Sequence, residues 1–208
     1  MHPSYDAEAA RRVLSQNDPT LGMLIERVGP YQLTLRHMQS PFLGLLRAIV
    51  YQQLSGKAAR TIHERVLALF PESEPRADVL LTLPDETLRG AGLSRNKTLA
   101  VKDLAVKTLD GTVPPADHLA ELSDEEIIER LTAVRGIGRW TVEMLLIFNL
   151  GRPDVLPLDD LGIRKGFKIT YDLDDLPRPA QLRAHGARWA PYRSVASWYL
   201  WRAVDQVN

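Results

Sequence analysis

The chain has 208 residues, of which 45% are hydrophobic and 25% are charged, as in ordinary globular proteins. Its 26 basic and 26 acidic residues give a formal net charge of zero, which argues against a strongly basic nucleic-acid-binding domain. Any such binding face must therefore be local. The chain has no cysteine, which excludes disulfides and thiolate metal sites and fits a reducing compartment. No apolar run approaches the roughly 20 residues that a membrane-spanning helix needs, and no secretory signal is expected at the N-terminus.

Helical periodicity dominates the sequence, because apolar residues recur at the spacing of one helix face. The residues before Pro41 look helical, and only the segment 31–37 alternates like a strand, with no second strand to pair with. Ser123 and Glu126 form a capping box at the start of one helix. The sequence thus predicts an all-α protein. Its main predicted helices are 42–54, 57–70, 94–109, 123–134, 138–150, 160–169, 179–190 and 193–207.

The segment 131–146 contains the first pattern that carries chemistry. A helix is predicted to end near Val134, and a turn through Gly136, Ile137 and Gly138 leads directly into a second helix. The unpaired N–H groups and the dipole at that helix start favour an anion such as a DNA phosphate. Ile137 would anchor the turn in the core, and Arg139 could reach a neighbouring phosphate. The alternative is an ordinary helix corner closed by a C-cap glycine.

The segment 151–160 contains a loop with glycine and proline and ends in Leu-Asp-Asp, just before an amphipathic helix. An Asp at a helix start is usually a cap. Because two Asp residues are adjacent, Asp159 could cap the helix while Asp160 faces elsewhere. The same helix-start donors would favour a charged carboxylate. Asp160 is therefore a candidate catalytic carboxylate, with capping as the alternative.

Together these motifs resemble the helix-hairpin-helix–Gly/Pro/Asp superfamily of DNA glycosylases, and within it the AlkA-type 3-methyladenine DNA glycosylase II. The matching stretches are Gly-Ile-Gly-Arg-Trp-Thr at 136–141, Leu-Asp-Asp at 158–160, Gln-Gln-Leu-Ser at 52–55 and the Trp-containing segment 191–201. The resemblance implies two helical lobes, 1–40 with 153–208 and 41–152, with the helix-hairpin-helix motif at the cleft between them. AlkA itself has an N-terminal mixed β domain, but here only about 40 residues precede Pro41 and they look helical, so no such domain is expected.

The resemblance further implies a monofunctional enzyme of base excision repair that acts on flipped-out alkylated bases, such as 3-methyladenine and 7-methylguanine. The catalytic Asp of the family matches Asp160, and Trp140 stands where bifunctional members have a lysine nucleophile. Hydrolysis without strand cleavage is therefore expected. An alkylated purine leaves as a neutral base without a general acid, so one carboxylate beside the sugar suffices, unlike in O-glycoside cleavage. No cofactor is required.

Further site residues follow from the same resemblance. Leu54 matches the residue that fills the gap left by a flipped base, although it could instead be the last core residue of its helix. Trp140 and Trp201 match aromatics that stack on a cationic base, although both could be core residues. The implied base pocket comprises Trp140, Trp201, Met144, Leu161 and Tyr51, and it is expected to be wide because aromatics are absent at Met144 and Leu161. The implied DNA-binding residues are Gln53, Leu54, Gly136, Gly138, Arg139 and Thr141.

Two additional predictions concern ions and charge. The backbone carbonyls of Thr132, Val134 and Ile137 could bind a monovalent or calcium-like cation, since oxygen ligands suit hard ions. Other basic residues could extend the DNA-binding face or could be solvated surface charges. They are Lys57, Arg60, Arg95, Lys97, Arg164 and Arg193.

The expected partner is double-stranded DNA containing alkylated bases, bound by a monomer in the bacterial cytoplasm or the nucleus. One rival interpretation is a non-catalytic DNA-binding protein that uses only the hairpin. Such a protein would not need Asp160, Trp140 and Trp201 at their positions. A second rival is a glycosylase that acts on other damaged bases.

Overall fold

The computed structural model describes residues 3–207, and these residues form helices and connecting loops without a strand. The predicted all-α class is confirmed. None of the described helices is long and apolar enough to cross a membrane. Short 3-10 turns lie at Pro71–Ser73 and Ala187–Trp189. The helices are α1 (Ala7–Asn17), α2 (Pro19–Val28), α3 (Pro41–Tyr51), α4 (Gly56–Leu67), α5 (Ala77–Thr82), α6 (Asp85–Gly90), α7 (Arg95–Leu109), α8 (Ala116–Glu121), α9 (Asp124–Thr132), α10 (Arg139–Phe148), α11 (Leu161–Thr170), α12 (Pro179–Gly186) and α13 (Arg193–Asp205).

Side chains that satisfy the first backbone N–H groups fix where many of these helices begin. The predicted capping box of α9 is present: the Ser123 hydroxyl accepts from the Glu126 N–H, and the Glu126 carboxylate accepts from the Ser123 N–H. Ser94 caps α7 in the simpler one-sided way. Proline occupies an early position of α2, α3 and α12, where its missing N–H costs nothing.

The chain divides into two compact units. One unit comprises the residues up to His37 and those from Glu143 onward, and the other is Met38–Val142. The division falls within α10, ahead of the lobe boundary expected after residue 152. The physical reason is that Phe148, at the end of α10, stacks with Trp201 at 5.4 Å, and its carbonyl accepts the N–H of Arg36.

Each unit has its own fully buried apolar core. The core of the first unit includes Leu14, Leu21, Trp189, Val195 and Tyr199. The core of the second unit includes Leu45, Ile49, Leu80, Leu104 and Leu131.

The segment 31–37, which alternates like a strand in sequence, forms no strand and runs as an irregular connection. The Arg36 N–H donates to the Phe148 carbonyl at 2.8 Å, and the Asn149 amide donates to the Arg36 carbonyl. Leu35 packs so close to Gly151 that a Cβ there would lie 2.9 Å from the Leu35 Cδ1 atom. Because Gly151 also has a φ of +65°, only glycine fits this position without strain.

A buried carboxylate, Asp18, joins the helices of the first unit. Its Oδ1 caps α2 by accepting the Leu21 N–H, and its Oδ2 accepts from the Tyr171 hydroxyl at 2.6 Å and the Trp189 indole at 2.9 Å. The Nε2 atom of His185 lies 2.8 Å from the same Oδ2. Burial alone would raise the pKa of Asp18, but these hydrogen bonds outweigh it and lower the pKa.

This lowered pKa predicts a loss of stability in acid. The group is charged more readily in the folded protein than in the unfolded chain, so its contribution is complete above the unfolded pKa of about 3.9. It is lost as the pH falls from about 4 through the lower folded pKa. Urea unfolding of the wild type and of Asp18→Asn across this range should show a stability difference that shrinks as the pH drops. A difference that stays constant down to strong acid would contradict this assignment.

Candidate functional site

The predicted hairpin is present between α9 and α10. Helix α9 ends at Thr132 and α10 begins at Arg139, as the sequence indicates. Gly136 has a φ of +78° and is exposed, whereas Ile137 is buried with 4% of its surface accessible. Gly138 is also exposed, and a Cβ there would meet nothing within 4 Å. The turn therefore anchors its central residue and presents a glycine on either side.

Neighbouring helices hold this turn in place. The Asp103 carboxylate on α7 accepts the Arg135 N–H at 2.7 Å. The Gln52 side chain, which follows α3, donates to the Gly136 carbonyl at 2.9 Å. Ala100 of α7 packs against Gly136, 3.5 Å from where a Cβ would lie. These supports join residues distant in sequence, so periodicity could not reveal them.

Helix α10 begins directly after the glycine turn. The Gly138 carbonyl accepts the N–H groups of Thr141 and Val142, which begins the helix. Arg139, predicted to reach a phosphate, pairs with Glu125 through both terminal nitrogens, at 2.6 and 3.2 Å. Both side chains are more than half exposed, so the pair contributes little to stability and can exchange for another anion.

The loop carrying Leu54 differs from the prediction in one respect. The helix expected to continue to residue 54 ends at Tyr51, so that part of the prediction is wrong. Gln53 adopts a φ of +58°, which breaks the helix, and Leu54 is 39% exposed. The alternative that Leu54 is the last core residue of its helix is therefore excluded. Gln53 and Leu54 lie on an exposed turn between α3 and α4.

Asp160 lies at the start of α11 and is almost fully buried, with 9% of its surface accessible. Its Oδ1 accepts the Ile163 N–H at 2.8 Å and the Trp201 indole N–H at 2.9 Å. The expectation that Asp159 caps this helix is wrong, because Asp160 itself is the cap and Asp159 is exposed. The alternative that Asp160 caps the helix is therefore confirmed, and its catalytic role stays a prediction.

Two glycines on α11 make this arrangement possible, and the sequence reasoning missed their role. A Cβ at Gly162 would lie 2.8 Å from the Trp201 Cδ1 atom and 3.1 Å from the Asp160 Oδ1 atom. A Cβ at Gly166 would overlap the backbone carbonyl of Leu200 on α13. Their spacing of one helical turn was the available indication, since residues at i and i+4 share a face. The glycines let α13 approach closely enough for Trp201 to reach the carboxylate.

The predicted pocket residues occupy different environments. Trp201 stacks with Phe148 and holds Asp160, whereas Trp140 is 49% exposed, so Trp140 is not a core residue. Leu161 is 52% exposed and Met144 is half-buried. Tyr51 is half-buried between the guanidinium of Arg47, 4.1 Å from its ring centroid, and His63. Asp160, Trp201, Leu161 and Met144 belong to the first unit, and Tyr51 and Trp140 belong to the second.

The basic residues proposed for an extended DNA-binding face fall into two groups. Three of them have polar partners within the protein. The Lys97 ammonium donates to the carbonyls of Val50 and Gln52. The Arg164 side chain donates to the Pro177 carbonyl, and the Arg193 guanidinium donates to the Asp154 carboxylate. The other three have exposed side chains. They are Lys57, Arg60 and Arg95.

The carbonyl groups suggested as cation ligands lie at the hairpin. The Val134 carbonyl accepts the Ile137 N–H at 3.0 Å and keeps a second lone pair. Among the described residues, no cluster of His, Cys, Asp and Glu is arranged to hold a metal ion. The cation bound by the carbonyls of Thr132, Val134 and Ile137 stays a prediction.

Comparison with known proteins gives consistent matches. Residues 46–191 match the HhH-GPD superfamily base excision DNA repair proteins. The chain is 40% identical over 192 residues to DNA-3-methyladenine glycosylase 1 of Schizosaccharomyces pombe, covering 91% of this chain and 84% of that protein.

Solved structures agree with the sequence comparison. A 3-methyladenine DNA glycosylase of Schizosaccharomyces pombe in complex with abasic DNA superposes with a TM-score of 0.81 at 38% identity, over 93% of this chain and 95% of that one. A DNA-3-methyladenine glycosidase from Bacillus halodurans superposes with a TM-score of 0.87 at 36% identity, over 99% of this chain and 92% of that one. Both likenesses extend over nearly the whole chain.

Proposed function

Because the chain belongs to the HhH-GPD superfamily of base excision DNA repair proteins, we propose that it is a DNA glycosylase that releases alkylated bases from DNA. It cuts the N-glycosidic bond of bases such as 3-methyladenine and 7-methylguanine and leaves the sugar–phosphate strand intact. The observation that carries the proposal is the buried carboxylate of Asp160, fixed at the start of α11 by two hydrogen bonds to one of its oxygens.

The chemistry requires little more than this carboxylate. As the bond between base and sugar breaks, positive charge develops on the sugar, which comes to resemble an oxocarbenium ion. The charge on Asp160 stabilises that cation and orients the attacking water. Two unit charges about 4 Å apart at an effective dielectric constant of 20 attract each other by roughly 4 kcal/mol. That energy corresponds to nearly three decades in rate.

The other proposed parts serve recognition. The backbone N–H groups at the start of α10 and the exposed glycines of the hairpin bind a DNA phosphate. Leu54, exposed on its turn, fills the gap left by the flipped nucleotide. The exposed indole of Trp140 offers a π-face to a cationic base. The positive charge of the alkylated base thus favours both its stacking on an indole and its departure from the sugar.

Base release without strand cleavage follows from Trp140. An indole cannot attack the sugar to form a Schiff base, as a lysine at that position would. Incubation of the purified protein with duplex DNA containing 7-methylguanine or 3-methyladenine should release the free base. The product strand should break only after alkaline treatment, and borohydride should trap no covalent complex. DNA binding without base release would favour a non-catalytic hairpin protein.

A further inference from the structure

Helix α7 contacts both elements that the proposed function places on DNA. Its residues Lys97, Ala100 and Asp103 recur at a spacing of three, so they lie along one side of the helix. The Lys97 ammonium donates to the carbonyls of Val50 and Gln52, each at 2.7 Å. These carbonyls lie at the end of α3, where the Leu54 turn (residues 52–55) begins.

The Lys97 ammonium caps the end of α3 with a half-buried charge. The last carbonyls of a helix have no intrahelical donors, and a cation there satisfies them and matches the helix dipole. The ammonium is partly withdrawn from water, and this partial burial lowers the pKa of Lys97. The following residue, Gln53, has a φ of +58°, a conformation that persists only when its surroundings fix it.

The same turn is tied to the hairpin. The Gln52 carbonyl accepts from Lys97, while the Gln52 side chain donates to the Gly136 carbonyl. Asp103, six residues along α7 from Lys97, accepts the Arg135 N–H on the other side of the hairpin. Polar contacts therefore run from the Leu54 turn to the glycine turn, and α7 supports both ends.

We propose that Lys97 is a positioning residue for the Leu54 turn and, with Gln52 and Asp103, sets its placement relative to the phosphate-binding hairpin. The inference rests on the proposed function, because it assigns a purpose to a turn that acts on DNA. Lys97 itself touches neither the base nor the sugar. It holds the turn in one conformation before DNA arrives, so that ordering the turn costs nothing when Leu54 enters the duplex.

Lys102, on the same helix, provides a matched control. Its ammonium donates to the carbonyls of Leu81 and Leu83 at the end of α5, as Lys97 does at the end of α3, and it also lies 3.8 Å from the Asp85 carboxylate. Lys97→Met and Lys102→Met each remove a helix-capping ammonium and retain an aliphatic stem. A purely structural role for Lys97 predicts similar consequences for the two variants.

The first measurement is independent of catalysis. Amide hydrogen exchange of the full chain without DNA should be faster at residues 52–55 in Lys97→Met, by about tenfold for the loss of a hydrogen bond to a charged group. Exchange in that segment should be unchanged in Lys102→Met, and Lys97→Arg should restore much of the protection. Equal exchange at 52–55 in the wild type and Lys97→Met would overturn the proposal, whether or not the protein releases bases.

The second measurement is a double-mutant cycle with single-turnover base release from 7-methylguanine DNA. Lys97→Met should slow release about tenfold when Leu54 is present, and Lys102→Met should not. If Lys97 acts through the turn, Lys97→Met should have little further effect in a Leu54→Ala background. Equal slowing in both backgrounds would show that Lys97 acts elsewhere. A wild-type protein that releases no base would refute the proposed function, and the exchange experiment alone would then decide this inference.

Discussion

Asp160→Asn is expected to lower single-turnover base release by about three decades, because it removes a negative charge worth roughly 4 kcal/mol to the developing sugar cation. Asparagine has nearly the same shape, and its amide oxygen can accept the same two hydrogen bonds, from the Ile163 N–H and the Trp201 indole. The fold and the start of α11 should therefore be retained. Affinity for DNA containing a lesion should change little.

Asp159→Asn is the matched control for this experiment. It removes the same charge from the adjacent residue, which is exposed and does not cap α11. Its rate should stay close to that of the wild type. A fully active Asp160→Asn protein, or equal losses in the two variants, would refute the assignment of the catalytic carboxylate.

Gly166→Ala is expected to produce a large loss of stability, about 3 kcal/mol, because overpacking against backbone cannot be relieved by rotating a side chain. The added Cβ would lie 2.6 Å from the Leu200 carbonyl carbon and closer still to its oxygen. Helix α13 would have to move away from α11. For a chain of this size the melting temperature should fall by about 10 °C, and the Trp201 indole would be withdrawn from Asp160.

Gly90→Ala tests whether any helical glycine behaves in this way. Gly90 lies in α6, where a Cβ would meet nothing within 4 Å, so alanine should be neutral or slightly stabilising. Thermal unfolding of the two variants separates crowding at α13 from the general effect of losing a glycine. Equal melting temperatures for Gly166→Ala and the wild type would contradict the close approach of the two helices.

The sequence predicts the longer helices and the hairpin because their patterns are local. Ser123 and Glu126 identify the start of α9, and the exposed glycines around the buried Ile137 match the predicted turn. Helices α5, α6 and α8 have six residues each, which is too short for an apolar period to repeat. They were not predicted as separate helices.

The details of the candidate site depend on contacts between distant residues. Whether Asp159 or Asp160 caps α11 is decided partly by Trp201, which approaches through the space that Gly162 leaves. Lys97 looks like a surface cation in sequence, yet it caps α3 some 45 residues earlier in the chain. A positive charge in a sequence does not reveal which carbonyls the fold will bring to it.

The pairing of Arg139 with Glu125 bears on how the protein handles intact DNA. A phosphate that engages this guanidinium must first displace a carboxylate at 2.6 Å, so one anion replaces another. The net electrostatic gain is smaller than for an arginine that has no acidic partner. The contact therefore adds less to the sequence-independent part of the affinity for DNA, which comes from the release of counterions. Together with a formal charge of zero, this predicts brief contact with undamaged duplex, so that the molecule can sample many sites.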